Sequence, residues 1–458
     1  MDASNRFYQY LSASTALLSM ITGGMHYAWP SPSIPKLTQN NSSAFQITPE
    51  EGSWIIIMEL IAPIPSCFFS AIITDNIGRK KSILSTSIPY FVSWLIIAFA
   101  KSASMLCLAR FLAGLCDGVI FTVMPLYIAE IADPNIRGFL GAGISVVWIF
   151  GMLLINVIGA YLTIPGTAGV SSVVPLLMLA TFIWMPESPY FLIMKNDIKQ
   201  ATLSLQKLKG RNDVEDELQR LQNAVKTNNK KWSNFLELLT KKSNQKSLLI
   251  IVVLRNAQQM SGLAAIIFYT ISIFNEAGDF MSPLGATILY VSIQCVMAAV
   301  CSLLIDKTGR RPLLTTSLVG SALTLFLEGT YFYLKDFTNV DTTVFNFVPL
   351  LALISFVIVF NVGAQPIPML IQGEIFPTNV KAMASCFSEV YCCVVAAIVS
   401  KLFQILRDSF GMFLPFIVFA GCCVVNLIFV TIFVPETKRR TLEEIQETLG
   451  GKKAGVKC

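Results

Sequence analysis

Apolar stretches of about twenty residues recur along the chain near 11–30, 53–74, 82–100, 104–127, 139–162, 170–192, 247–275, 283–305, 313–334, 346–371, 383–405 and 411–434. A helix needs about 20 residues to cross the hydrocarbon core of a bilayer. The pattern therefore predicts twelve transmembrane helices, called spans 1 to 12 in chain order. The first window is long and lacks both a basic start and a small-residue cleavage site, so it is expected to remain as span 1 rather than act as a signal peptide. One polar segment divides the series into six plus six. Within it Leu203, Leu205, Leu208, Leu218, Leu221 and Val225 recur at helical spacing among charged residues, which predicts short amphipathic helices packed under the bundles. The expected division is a six-helix bundle over 1–192, an amphipathic linker over 193–246, a second bundle over 247–434 and a tail over 435–458.

Composition sharpens this reading. The chain is 54% hydrophobic and 14% charged, against roughly 25% charged in a soluble domain. It has one histidine, His26, and no basic run interleaved with aromatics, so no nucleic-acid partner is expected. Ten of the eleven cysteines fall in apolar stretches and the other is the last residue, which implies no disulfide framework. No metal-ligand spacing, cofactor fingerprint or catalytic constellation appears. The expected partners are the bilayer and a small solute, with no cofactor, no metal and no enzymatic step.

Lysine and arginine concentrate in one set of loops. Arg79, Lys80 and Lys81 follow span 2, and Arg137 follows span 4. Twelve basic residues lie between spans 6 and 7, Lys307, Arg310 and Arg311 follow span 8, Lys381 follows span 10, and Lys438, Arg439 and Arg440 follow span 12. Positive charge stays on the cytoplasmic side, so both termini are expected there. The opposite loop after span 1 carries overlapping glycosylation sequons at Asn40 and Asn41.

The two halves repeat one another. Asp75-Asn76-Ile77-Gly78-Arg79-Lys80 after span 2 matches Asp306-Lys307-Thr308-Gly309-Arg310-Arg311 after span 8. Glu130 and Arg137 after span 4 match Glu374 and Lys381 after span 10, and Pro186-Glu187-Ser188 after span 6 matches Pro435-Glu436-Thr437 after span 12. Three motifs in one order at equivalent helix ends indicate a parallel repeat of the kind found in some transporters. Glycine permits the tight turn. Asp75, Arg79, Glu130, Arg137 and Glu187 are expected to cluster, as are Asp306, Arg310, Glu374, Lys381 and Glu436. Ion pairs of that kind would close one side of a carrier and break on opening, a two-state latch.

These residues carry a family resemblance over nearly the whole chain. Further matches are Trp29-Pro30-Ser31-Pro32; Arg110, Gly114, Gly118, Pro125 and Tyr127 on span 4; Gln258-Gln259-Met260-Ser261-Gly262; Pro366-Ile367-Pro368; and Gly373-Glu374-Ile375-Phe376-Pro377. The sequence resembles the sugar-porter branch of the major facilitator superfamily, most of all the insect trehalose and hexose facilitators. The resemblance implies two pseudo-symmetric six-helix bundles, alternating access, a plasma-membrane location, a monomer and a sugar bound mid-membrane, mainly by polar groups of the second half. It places Gln258 and Gln259 in the sugar-binding pair and makes Gln294, Phe360 and Asn361 candidate cavity residues; Arg110 joins the conformational machinery. An amide in an apolar helix is costly without a partner, and sugar hydroxyls suit its donor and acceptor. The departures are Ala264 for an asparagine, Met369 for a tryptophan, Cys392-Cys393 for an asparagine–tryptophan pair and Ser145 for a glutamine. Their loss is expected to weaken a glucose site and allow another substrate.

Four acids, Glu59, Asp117, Glu328 and Glu389, lie in or near apolar stretches, where an ionisable residue is a functional candidate. Proton-coupled sugar porters carry an acid in span 1 and this span 1 has none, so uniport is expected. Glu59 and Asp117 are the candidates if a proton is coupled; the structural alternative pairs such an acid with Arg110. His26 is expected to be structural. A non-transporting sugar sensor is the rival from another class, disfavoured by the short tail.

Overall fold

The computed structural model describes the chain apart from residues 1–5, 39–44, 229–240, 279, 340–342, 377–379, 435 and 437–458. It divides into two compact units, Met1–Lys231 and Trp232–Cys458.

In the first unit, span 1 is Phe7–Ala28 and leads into a short helix, Pro30–Thr38. Span 2 is Pro49–Ile61 and Pro63–Ile77, interrupted where Pro63 removes a backbone donor. Its start is fixed by a capping box: the Thr48 N–H donates to Glu51 at 2.8 Å and the Glu51 N–H to the Thr48 hydroxyl at 3.2 Å. Span 3 is Arg79–Ser85 and Ser87–Ala98, span 4 Ala103–Ile131, span 5 Pro134–Tyr161, and span 6 Ile164–Ser171 and Val173–Phe182. Helices Pro189–Met194, Ile198–Lys209 and Glu215–Asn228 follow.

Span 6 starts earlier than its apolar window suggests, at Ile164, where the Thr163 hydroxyl caps the helix, and ends earlier, because Pro186 and Pro189 bracket a turn that cannot continue a helix. The amphipathic stripe beyond it buries Ala201, Leu205, Leu208 and Val225, whereas Leu203 is half-exposed. Leu203 thus lies off the apolar face that its spacing predicted.

In the second unit, span 7 is Lys242–Gln259 and Leu263–Ala277, span 8 Pro283–Thr308 and span 9 Arg310–Phe337. Span 10 is Val348–Val362 and Ile367–Ile375, span 11 Lys381–Phe410 and span 12 Phe413–Phe433. Span 7 breaks at Met260-Ser261-Gly262, where Gly262 has φ 81° and a Cβ there would strike the Phe419 ring. Only glycine fits both the backbone and the contact.

The repeat extends to packing. In the first unit span 1 packs on span 5, span 2 on span 4 and span 3 on span 6; in the second, span 7 packs on span 11, span 8 on span 10 and span 9 on span 12. Among the described residues, eleven helical stretches are long and apolar enough to cross a membrane. Span 1 falls short on hydropathy alone. Its polar residues Gln9, Ser12, Thr15, Ser19, Thr22 and His26 form one stripe at spacings of three and four, all buried in the protein. Thr15, Ser19 and Thr22 donate to carbonyls of their own helix. Such a helix is solvated by its neighbours rather than by lipid. The ten described cysteines are free thiols.

Candidate functional site

The two glycine turns are near copies. Gly78 ends span 2 at φ 103°, ψ 163°, and Gly309 ends span 8 at φ 110°, ψ 154°. Each is followed at once by the next span. Glu187 accepts the Lys80 backbone N–H at 2.9 Å and its neighbour Ser188's at 2.8 Å. Glu436 accepts the backbone N–H groups of Arg310 and Arg311 at 3.2 and 3.1 Å. The first backbone N–H groups of a helix lack partners and the helix dipole there favours an anion, so both glutamates serve as N-terminal anions for spans 3 and 9.

Arg79 gathers most of the remaining expected cluster. Its Nε meets Glu130 at 3.0 Å and its Nη1 meets Asp75 at 3.3 Å, while the Ser188 hydroxyl also donates to Glu130. Glu187 contacts backbone N–H groups rather than Arg79. Arg137 is not brought into the cluster; its guanidinium donates to the Ala132 carbonyl at 3.4 Å. The side chains of Asp306, Glu374 and Lys381, and the sequon residues Asn40 and Asn41, lie outside the described residues. The Arg311 guanidinium donates to the Thr431 carbonyl.

A second charged cluster was not legible in the sequence. Asp133 pairs with Lys209 and, at 3.4 Å, with Arg6, and its N–H donates to Gln9 at 3.0 Å. Lys209 also pairs with Glu217 at 2.8 Å. Partial burial pushes the Asp133 carboxyl up, but the bonds from Lys209 and Gln9 and the charge of Arg6 outweigh it and hold the group below its ordinary value. Lys209 is held above its own, since its two carboxylates outweigh burial. These contacts fasten the start of span 5 to the helices Ile198–Lys209 and Glu215–Asn228.

Arg110 does not join the latch residues. It sits inside span 4, fully buried, paired with Glu59 of span 2. It donates to the His26 carbonyl and, at 3.4 Å, to the Ile55 carbonyl, and lies 5.8 Å from the Trp29 ring. Asp117, two turns on, is buried and accepts the Tyr90 hydroxyl at 2.5 Å. His26 stacks on Trp94 at 3.9 Å and Tyr90 at 5.4 Å, with neither ring nitrogen hydrogen-bonded among the described residues. Of the two candidate coupling acids, Glu59 pairs with the guanidinium, while Asp117, two turns along the helix that carries Arg110, is buried on Tyr90. Gly114 lets spans 2 and 4 approach here, since a Cβ there would meet the Glu59 carbonyl oxygen at 2.5 Å and Ala62 at 2.8 Å.

In the second unit, the Gln258 carbonyl oxygen accepts from Arg255 at 2.9 Å and its amide nitrogen donates to the Gln365 carbonyl at 3.0 Å, in the break of span 10. Gln259 donates to the Cys392 sulfur at 2.9 Å. Arg255 also donates to Ser388 at 2.9 Å and pairs with Glu389 at 3.1 Å. Gln294 is buried, with its carbonyl oxygen unpartnered among the described residues. Asn361 donates back to Val357 of its own helix at 2.8 Å, and Phe360 is buried 5.3 Å from Phe356. Arg255 was missed in the sequence. The available signal was a lone arginine in an apolar stretch, three residues before the glutamine pair, with an acid in another apolar stretch.

A family model described as "Sugar (and other) transporter" matches residues 27–449. The chain belongs to that family. Its relatives include the facilitated trehalose transporter Tret1 of Anopheles gambiae, 33% identical over 447 residues, covering 97% of this chain and 56% of that protein. Tret1 of Apis mellifera ligustica is 33% identical over 446 residues, covering 97% of this chain and 88% of that protein. The chain spans about half the length of several of these relatives. Among solved structures, the major facilitator superfamily proton:xylose symporter XylE bound to 6-bromo-6-deoxy-D-glucose has TM-score 0.77 at 22% identity, covering 97% of this chain and all of that one. A partially occluded inward-open XylE from E. coli has TM-score 0.80 at 21% identity, covering 95% of this chain and all of that one. This family member therefore has the twelve-helix major facilitator fold and is a multi-pass membrane protein.

Proposed function

We propose that the protein is a facilitative carrier that moves a carbohydrate, trehalose or a hexose, across the membrane by alternating access. The observation that carries this reading is the amide-rich face of the second unit, where Gln258 and Gln259 flank the break in span 7 and bond across to spans 10 and 11. Irregular backbone at membrane depth is tolerated only where it is buried in protein or lines a water-filled cavity, and these amides have donors and acceptors suited to hydroxyls. Family membership and the names of the Tret1 relatives support the substrate class. Gln294, Phe360 and Asn361 complete the proposed binding surface. The residues around Gly78 and Gly309, with Asp75, Arg79, Glu130, Glu187, Asp306, Arg310, Arg311, Glu374, Lys381 and Glu436, form the latch. The carrier is a monomer of the plasma membrane, with both termini cytoplasmic and Asn40 or Asn41 glycosylated. The bundle and linker bounds at residues 192, 246 and 434 belong to the same reading. Competition for uptake of labelled glucose by a panel of sugars tests it. Gln258→Ala should raise KM for the best competitor about tenfold, the loss of roughly 1.4 kcal/mol of hydrogen bonding; an unchanged KM rejects Gln258 as a contact.

A second reading, coupling to a proton, is favoured by one observation. Glu59 pairs with Arg110, and Asp117 lies two turns along the same helix on the Tyr90 hydroxyl, all buried; ionisable groups inside a span are the usual carriers of a coupled proton. Uptake that accelerates severalfold under an inward proton gradient, and loses that response in Asp117→Asn, would establish it.

A further inference from the structure

The resemblance places an asparagine–tryptophan pair where this chain has Cys392 and Cys393. A thiol is a weak hydrogen-bonding group, and Cys392 is already engaged by Gln259 and, at 3.8 Å, by Arg255. The strong polar group of span 11 lies one turn earlier. Glu389 is three residues before Cys392 and therefore on the same helix face. One carboxylate oxygen, Oε2, pairs with Arg255 at 3.1 Å, and the side chain is 25% exposed while that of Arg255 is 4% exposed. An ionised carboxylate does not turn toward lipid hydrocarbon, so the exposed part of Glu389 faces a polar opening.

Arg255 organises what that opening meets. Its guanidinium spends Nε on Ser388, Nη1 on the Gln258 carbonyl oxygen and Nη2 on Glu389. A guanidinium donates through a rigid fork and accepts nothing, so it fixes three acceptors at once. With its carbonyl held by Arg255 and its amide nitrogen on the Gln365 backbone carbonyl at 3.0 Å, Gln258 keeps its other N–H on a longer, 3.5 Å contact to the Gln365 side-chain oxygen, the bond a ligand would displace. Glu389, by contrast, offers a charged acceptor.

We propose that Glu389 contacts the substrate, a polyhydroxylated solute, by accepting a hydroxyl hydrogen, and that Arg255 is the positioning residue that aims both Glu389 and the Gln258 amide. This rests on the carbohydrate reading of the same face. It assigns recognition to a charged hydrogen bond where the family relies on an amide and an indole. One ring hydroxyl must then act as a donor at Glu389, and an oxygen that accepts must face Gln258.

The test uses the full chain in proteoliposomes, with radiolabelled glucose and trehalose as probes and monodeoxy and monodeoxyfluoro glucose as competitors. Fluorine cannot donate a hydrogen bond. At one ring position, both the deoxy and the fluoro analogue should compete about tenfold more weakly than glucose with the wild type, the effect of losing a charge-assisted bond. Glu389→Gln, whose amide oxygen accepts without the charge, should raise KM several-fold to about tenfold, leave the maximal rate within about twofold, and shrink the discrimination at that position to a few-fold at most. Arg255→Lys, which keeps the charge but not the fork, should broaden the analogue profile. The double variant Arg255→Gln/Glu389→Gln removes both charges together, which avoids the unpaired carboxylate of a single Arg255→Gln variant; it should shrink the discrimination at that position as Glu389→Gln does and, with Gln258 no longer held, show a broader profile than Glu389→Gln. If the wild type takes up sugar and Glu389→Gln shows the same KM and analogue profile, the assignment is overturned while the carbohydrate reading stands. If folded wild type takes up neither sugar, both fall.

Discussion

Arg110 offers a perturbation whose size follows from the structure. Its guanidinium is fully buried with Glu59 as ion-pair partner, the carbonyls of His26 and Ile55 as further acceptors, and Asp117 nearby. Arg110→Leu would leave two buried carboxylates with no cation. Removing one partner of a buried pair costs about 3–5 kcal/mol. For a unit of this size each kcal/mol lowers Tm by roughly 2–4 °C, so the expected fall is on the order of 6–20 °C. Glu59→Gln is different. Its amide oxygen still accepts from Arg110 and Asp117 remains as counter-charge, so its cost should stay near ~1 kcal/mol. Glu59→Gln/Asp117→Asn strips both acids from the guanidinium and should cost about 3–5 kcal/mol again, well above the sum of the single changes. Tryptophan-fluorescence melting of detergent-purified variants measures this. Equal losses for Arg110→Leu and Glu59→Gln, or strict additivity of the two acid substitutions, would refute the shared-charge account.

Further expectations follow from other sites. Gly78→Ala forces φ 103° on an L side chain and drives a Cβ toward Glu187 and, at 2.9 Å, toward Phe191, so it should cost at least about 1–2 kcal/mol, read as a Tm loss. Glu436→Gln removes the anion from the start of span 9 and should cost roughly 0.3–1 kcal/mol at low salt, an effect that about 1 M salt should largely erase in the same melt. Asp133 titrates below its ordinary value, so its stabilisation is present above about pH 4 and is lost as pH falls through the lower folded value. Lys209 titrates above its ordinary value, so its contribution is full below about pH 10 and is lost as pH rises through the higher folded value. Asp133→Asn should therefore lower Tm at neutral pH and flatten the acid limb of the Tm–pH curve; an identical acid limb would contradict the assignment.

Much of the architecture is written locally. Apolar length marks eleven spans, and the Gly78 and Gly309 motifs recur because a helix-end turn makes the same demand in each half. Span 1 is fainter, because its polar stripe is buried by neighbouring helices that no local window includes. Span 6 drifted because apolar residues continue past Phe182 while Pro186 stops the helix. The charge partners were least legible. Arg79 and Glu130 are 51 residues apart and Arg255 and Glu389 are 134 apart, so only tertiary packing selects them. The motifs named Glu187 as an acid at a helix end, but not that its partners would be backbone N–H groups. Gln258 and Gln259 stood out as adjacent amides in an apolar helix, whereas Arg255 is a single residue without a pattern.

The most direct test of the carrier account is uptake of radiolabelled trehalose and glucose into proteoliposomes holding the purified protein, with and without a proton gradient. The account predicts saturable uptake of at least one sugar, to equilibrium and no further, at a rate the gradient leaves unchanged. Folded protein that takes up neither sugar would contradict the carbohydrate assignment, and accumulation above equilibrium under the gradient would replace facilitation with proton coupling through Glu59 and Asp117.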